Sequence, residues 1–308
     1  MLNLSAYYSK NPNDRDFLQR YLKLTHCDLF FADAAILVEG NVERLLLPVM
    51  IERVAGPLQS ACLSILEVGG AFAHRFKSLI EFLGLTALII TDIDSVAPVV
   101  GDEEAEDGDE ATEYEVPNVD AEKPTVKKRC KSCLPSEPGA VTSNPTLIQW
   151  IPKKQTIAEL FAATPSEKLH ADAGDNGFKI RVTYQTPCEV TWNNSTENVC
   201  GRTLEVNFGL ENAAWVQHAD RKHIGLKVRS NPATPSELAA AIHKRVGAKS
   251  FDKTTFALGV LTEPPANWQV PQYIREGLEW LRDTVKLELP TELPPDNAPE
   301  EEVAEAAQ

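Results

Sequence analysis

The sequence has no run of about 18 apolar residues, so no membrane-spanning helix is expected. The opening MLNLSAYYSK lacks the apolar centre of a secretory signal. No G-x-x-x-x-G-K-[ST] occurs, which excludes a phosphate-cradling P-loop, and no G-x-G-x-x-G supports dinucleotide binding. The six histidines show neither H-x-x-x-H nor H-E-x-x-H spacing; His74, His218, His223 and His243 read as surface residues, or residues facing a polyanion, rather than zinc ligands. The six cysteines have no regular framework, which fits a reduced, cytoplasmic protein better than a disulfide scaffold. Cys130 and Cys133 form a C-x-x-C, but Cys188 and Cys200 have eleven residues between them, too wide for the second half of a zinc site.

Positive charge is missing from two stretches. Residues 101–122 hold eleven acids and residues 287–308 seven more, and neither matches them with bases. Such runs are expected to be solvated and disordered. The formal net charge of −15 comes from them: in the rest of the 308 residues 27 acids face 30 bases. The patch Lys127, Lys128, Arg129 and Lys131 follows the first acidic run. It reads equally as a partner for those acids or as a polyanion contact.

What is present centres on Ala35–Glu43, AILVEGNVE. The apolar run Ala35–Val38 predicts a buried strand stopping at Glu39, with Gly40 turning and Asn41 capping a helix over 42–54. Pro48 inside that pattern is expected to kink or shorten the helix. A second run, Ala87–Thr91, leads into Asp92-Ile93-Asp94-Ser95, and Asp92 and Asp94, two apart in a strand, are expected to face one way. Leu63–Val68 is a third strand and Ala71–Leu83 a helix. If the strands pair in parallel, four carboxylates meet at the rim where open α/β sheets bind ligands. Clustered anions call for a cation, and hard oxygen donors suit magnesium, manganese or calcium. The bland alternative is that these acids merely end two strands in solvent.

The VEG of Val38–Gly40 with Glu43, EVGG at Glu67–Gly70 and the strand into DID at Asp92–Asp94 resemble a Toprim domain. LFFADAAILVEGNVERLLLP at Leu29–Pro48, SNPTLIQWIP at Ser143–Pro152 and GRTLEVNF at Gly201–Phe208 narrow the resemblance to the OLD (overcoming lysogenisation defect) nucleases, over roughly residues 20–280. The resemblance implies an α/β fold: a Toprim-type parallel sheet flanked by helices, with an added helical subdomain. Its organisation would be a helical lead-in over 1–33, a Toprim nuclease domain over 34–286 with an acidic disordered insertion at about 97–124, and a disordered acidic tail over 287–308.

It further implies a metal-dependent DNA endonuclease using two Mg2+ or Mn2+ ions, which at about 4 Å apart activate water and stabilise the leaving oxygen. Glu39, Glu43, Asp92 and Asp94 carry over as ligands, Ser95 as a possible hydroxyl ligand and Glu205 as part of the second ion's shell. Val96, Ala97 and Pro98 stand where part of the family has another acid. Lys253, with Glu39, is the expected catalytic group, its ammonium facing phosphate charge. The implied partners are DNA, an ATPase domain in cis (absent from these residues) or in trans, and a second copy in a homodimer, with no membrane. Two alternatives stay open: a non-catalytic nucleic-acid-binding or scaffold module, and a primase- or topoisomerase-type Toprim domain. Elsewhere, alternation over 178–208 predicts strands, with Thr203-Leu204-Glu205 inside them. Helices are expected over 157–164, 211–218, 236–246, 254–261 and 271–285.

Overall fold

The computed structural model describes residue 7 and residues 24–69, 72–98, 112–116, 126–171 and 177–285. Of the lead-in over 1–33, residues 24–31 form a 3-10 helix, and residues 1–6 and 8–23 lie outside the described residues. The tail over 287–308 also lies outside them.

The centre is built from β1 (Ala34–Val38), α1 (Asn41–Val54), β2 (Leu63–Glu67), α2 (Lys77–Leu83) and β3 (Thr86–Ile90). β1 pairs in parallel with β2 on one side and β3 on the other, Ile36 lying opposite Ile65 and Leu88. The expected strands near 35–39, 63–68 and 87–92 therefore share one sheet. Every residue of β1 is buried, because side chains that alternate across a pleat meet protein on both faces. Ala34, Ile36, Val38, Leu88 and Ile90 pack with α1 and the later helices. Ala35, Leu37, Ala87 and Ile89 pack with Leu79 and Ile80 of α2.

After β3 the chain leaves the sheet. β4 (Ser95–Pro98), β5 (Thr112–Val116), β6 (Val126–Ser132) and β7 (Val141–Thr142) make a second sheet in the order β5-β6-β4-β7. Thus part of the stretch expected to be disordered, about 97–124, is ordered: residues 112–116 are a strand, while 99–111 and 117–125 lie outside the described residues. The antiparallel register sets Glu113 opposite Arg129 and Glu115 opposite Lys127, so the acidic and basic patches meet as neighbouring strands.

α3 (Pro145–Gln149) and α4 (Ile157–Phe161) follow, and then β8 (Leu169–Ala171) and β9 (Lys179–Thr183) return to the first sheet. That sheet is ordered β2-β1-β3-β9-β8, parallel except for the edge strand β8. The hairpin β10 (Cys188–Trp192) and β11 (Ser195–Val199) opens the helical subdomain. Its helices are α5 (Leu204–Glu211), α6 (Ala213–Val216), α7 (Pro235–Gly247), α8 (Lys253–Leu261) and α9 (Gln272–Thr284). The fold is the expected α/β arrangement with extra helices. α9 seats Tyr273, Ile274, Gly277, Leu278 and Leu281 on the sheet, the spacing of one helical face. Gly277 lies so close that an added Cβ would sit 3.0 Å from Thr183 and 3.1 Å from Leu88. Among the described residues no helix is long and apolar enough to cross a membrane.

Three local expectations change. α1 runs on through Pro48 to Val54 without being cut short. Its cap is Gly40, whose N–H donates to the Glu43 carboxylate (3.2 Å), while the Asn41 side chain donates to Thr254 Oγ1 of α8 (2.9 Å). Residues 204–208 are helix, not strand, so Glu205 stands in the first turn of α5.

Candidate active site

The parallel register sets Val38 beside Ile90, so the two chains leave the sheet together and Glu39 emerges next to Thr91 and Asp92. Glu39 accepts hydrogen bonds from the Thr91 hydroxyl and from the Asp92 N–H (2.9 Å). Asn144, the N-cap of α3, is fully buried, with its Nδ2 3.0 Å from Glu39 Oε1, 2.7 Å from Thr91 Oγ1 and 2.8 Å from the Asp92 carbonyl. One amide thus pins both strand ends from a third element.

Asp92 Oδ1 accepts from Gln185 Nε2 (2.6 Å) and from the Leu204 N–H (3.0 Å), the first turn of α5, where a helix favours negative charge. The other end of Gln185 accepts the Ile93 N–H at 2.7 Å. Beyond β3 the backbone leaves the extended form, and Asp94 has φ 46, a left-handed conformation that Asp tolerates better than most residues. Asp94 therefore does not follow strand alternation. Its carboxylate meets Arg202 Nη2 at 2.9 Å, and Arg202 Nε donates to the Ser95 carbonyl (2.9 Å). Ser95 is fully buried and donates its hydroxyl to the Cys133 carbonyl (2.5 Å).

The helical subdomain brings the remaining residues. Glu205 is buried; it accepts from the Thr203 hydroxyl (2.7 Å) and pairs with Lys253 Nζ (3.0 Å). Lys253 begins α8, and its side chain keeps 55% exposure. The bond from Asn41 to Thr254 fastens that helix end to the start of α1, where Glu43 lies.

Burial, then the Asp94 charge, pushes Glu39 up to about 8, against the pull of its Thr91 and Asp92 donors. Burial, then Asp92, pushes Glu43 up to about 8. Burial, then Glu39, Asp94 and Glu205, pushes Asp92 well above the usual carboxylate range. Burial alone would lower the Lys253 ammonium, but Glu205 and Asp92 hold it above its ordinary value. Among the described residues five carboxylates thus share one region with two cations, Arg202 and Lys253, and once all five are ionised the surplus is negative.

The donor chemistry fits a hard divalent cation: all oxygen, with anionic charge to spare. Among the described residues no three Asp, Glu, His or Cys side chains stand close enough to enclose an ion as they are. The donors are gathered rather than closed into a cage. Cys130, Cys133, Cys188 and Cys200 are buried, are in no disulfide and, among the described residues, form no such cage either.

The structure brings Glu39, Glu43, Asp92, Asp94, Glu205 and Lys253 into one region. Ser95 adjoins them with its hydroxyl committed to a carbonyl. Thr91, Asn144, Gln185 and Arg202 were not anticipated. The signal for two of them lay in quoted stretches, SNPTLIQWIP for Asn144 and GRTLEVNF for Arg202.

Residues 30–94 match the family model for the overcoming lysogenization defect protein-like Toprim domain, and the mostly parallel sheet flanked by helices is consistent with that fold. Among curated proteins the chain is similar to Endonuclease GajA of Bacillus cereus (strain HuB5-5), with 26% identity over 276 residues. The match covers 88% of this chain and 34% of that protein, so the chain spans about a third of its relative's length. No solved structure matches.

Proposed function

We propose that this chain is the nuclease part of an OLD-type, ATP-dependent endonuclease, and that it hydrolyses DNA phosphodiesters at a two-metal Toprim site with Mg2+ or Mn2+. The observation that carries the reading is the meeting of Glu39, Glu43, Asp92, Asp94 and Glu205, from β1, α1, the end of β3 and α5, with Arg202 and Lys253 the cations that pair with them among the described residues. A solvated strand end does not need a buried amide and a helix N-terminus to hold its acids in place, and here both are present. The relative's printed name, an endonuclease, points the same way.

Glu39, Glu43 and Asp92 would hold one ion, and Asp94 and Glu205 would complete the second ion's surroundings. Bound divalent ions supply an activated water and neutralise charge on the transferring phosphate. Asn144 and Gln185 fix the directions of Glu39 and Asp92. Arg202 keeps Asp94 turned toward the rim. Lys253, exposed at the start of α8, presents its ammonium to phosphate oxygens and stabilises the charge that grows on them.

The test is supercoiled plasmid incubated with magnesium, manganese, calcium or EDTA. Nicking with magnesium or manganese and none in EDTA is expected. Intact plasmid under every condition, with DNA still bound, favours the non-catalytic module instead. One observation supports that second reading: two of the five acids already have protein cations at 2.9 and 3.0 Å.

A further inference from the structure

A second charged feature lies on the helical subdomain. Over residues 221–251 the sequence places seven Lys or Arg against a single acid, Glu237, in a chain whose net charge is −15. The structure folds these residues into an open groove of about 1050 Å³ between the 225–230 loop and the last turns of α7. Lys222, Lys227, Arg229, Lys244 and Arg245 line it, and among the described residues no carboxylate does. Arg245 is held in place by the Gly225 carbonyl (2.9 Å) and Ser250 Oγ (3.0 Å). Among the described residues Lys222, Lys227, Arg229 and Lys244 have no acidic partner. Like charges gathered without counter-charges raise the free energy of the fold unless a polyanion covers them.

We propose that this groove binds the sugar–phosphate backbone of duplex DNA and sets its register over the carboxylate rim. The inference rests on the nuclease reading and names where that enzyme grips its substrate. Three observations select this ligand. The groove is open and far larger than one phosphate, with cations on both walls, as a continuous polyanion requires. Among the described residues its lining contains no Phe, Tyr or Trp, so they offer no aromatic platform for unstacked bases, which argues against single strands. It also adjoins the site: Ser250 is on its wall, and Lys253 of the carboxylate cluster follows three residues later. Their Cα atoms are at most about 11 Å apart, roughly three phosphates along one strand.

The test is a fourfold variant, Lys222→Gln, Lys227→Gln, Arg229→Gln and Lys244→Gln, with duplex binding followed by fluorescence anisotropy in EDTA over a salt series. None of the four side chains is fully buried and their removal relieves like-charge repulsion, so the melting temperature should stay the same or rise. Wild type should bind the duplex. The variant should bind at least about tenfold more weakly at low salt, with a log–log salt slope shallower by up to about 3.6, since each of four lost phosphate contacts removes about 0.9. Its stabilisation by manganese should equal that of wild type, which locates the loss in the groove and not at the carboxylates. Unchanged affinity and slope in a folded variant would overturn the proposal. So would tighter groove-dependent binding of a single strand, or full displacement of duplex by millimolar inorganic phosphate, which would mark a small-anion site. If wild type binds duplex through the groove yet never nicks plasmid, the groove stands and the nuclease reading fails.

Discussion

Asp92 and Asp94 look equivalent in the sequence and are held differently in the protein. Asp92 is buried on a helix N–H and an amide, whereas Asp94 keeps 24% side-chain exposure beside Arg202. Alternation assumes an extended backbone, and the left-handed turn at Asp94 breaks it. What was legible at this scale was the set of acids, because VEG and DID mark them in short contiguous motifs. What was not legible was their support: Asn144 lies 105 positions from Glu39, and Gln185 lies 93 from Asp92. Asn144→Ser tests that support. Serine still caps α3, so the melting temperature should drop only slightly, while manganese-dependent nicking should fall by about 10–100-fold as Glu39 loses its amide. Equal nicking rates for the two proteins would show that the amide only caps the helix.

Among the elements, α5 was misread for a physical reason. Leu204 through Leu210 are buried on every side, so no polar face reveals a helical period and the apolar alternation imitates a strand. The central strands were legible because each is a short apolar run closed by Gly or Asp. The pairing of β9 with β3 was not, since nothing local selects a strand's partner. α9 depends on Gly277 for its close seat. Gly277→Ala gains about 1 kcal/mol of helix propensity but overpacks Thr183 and Leu88 at a cost of about 1–3 kcal/mol, so denaturant melts should show net destabilisation.

The end of α5 carries a pH effect. Glu211 accepts the Gln272 N–H on both oxygens (3.0 and 2.8 Å), and burial lifts its pKa to about 7. The folded state therefore keeps a proton that the unfolded chain releases near 4.5, and this contribution to stability is lost as pH rises from about 4.5 to 7. Glu211→Gln should flatten that part of the stability–pH curve measured by urea melts. An unchanged slope would mean that Glu211 is ionised in the fold.

At the scale of the whole molecule, charge is segregated. The acidic tail over 287–308, the carboxylate rim and the basic groove draw on different stretches of one chain. Truncation after residue 286 removes seven acids, taking the formal charge from −15 to −8. Duplex binding at low salt should tighten, and the metal dependence of nicking should stay the same. Weaker binding after truncation would mean that the tail takes part in recognition.

The central claim is that the gathered carboxylates hold divalent cations. The most direct measurement is calorimetric titration of manganese into DNA-free protein, in two buffers of different ionisation enthalpy, for wild type and Asp92→Asn. Glu39 and Glu43, lifted to about 8, hold protons at pH 7, and a bound cation must expel them. Wild type should therefore bind manganese with proton release, seen as a buffer-dependent heat, and Asp92→Asn should bind far more weakly while melting at or above the wild-type temperature in EDTA. Equal manganese affinity in the two proteins, or no binding by wild type, would contradict the account and leave the acids as paired strand ends.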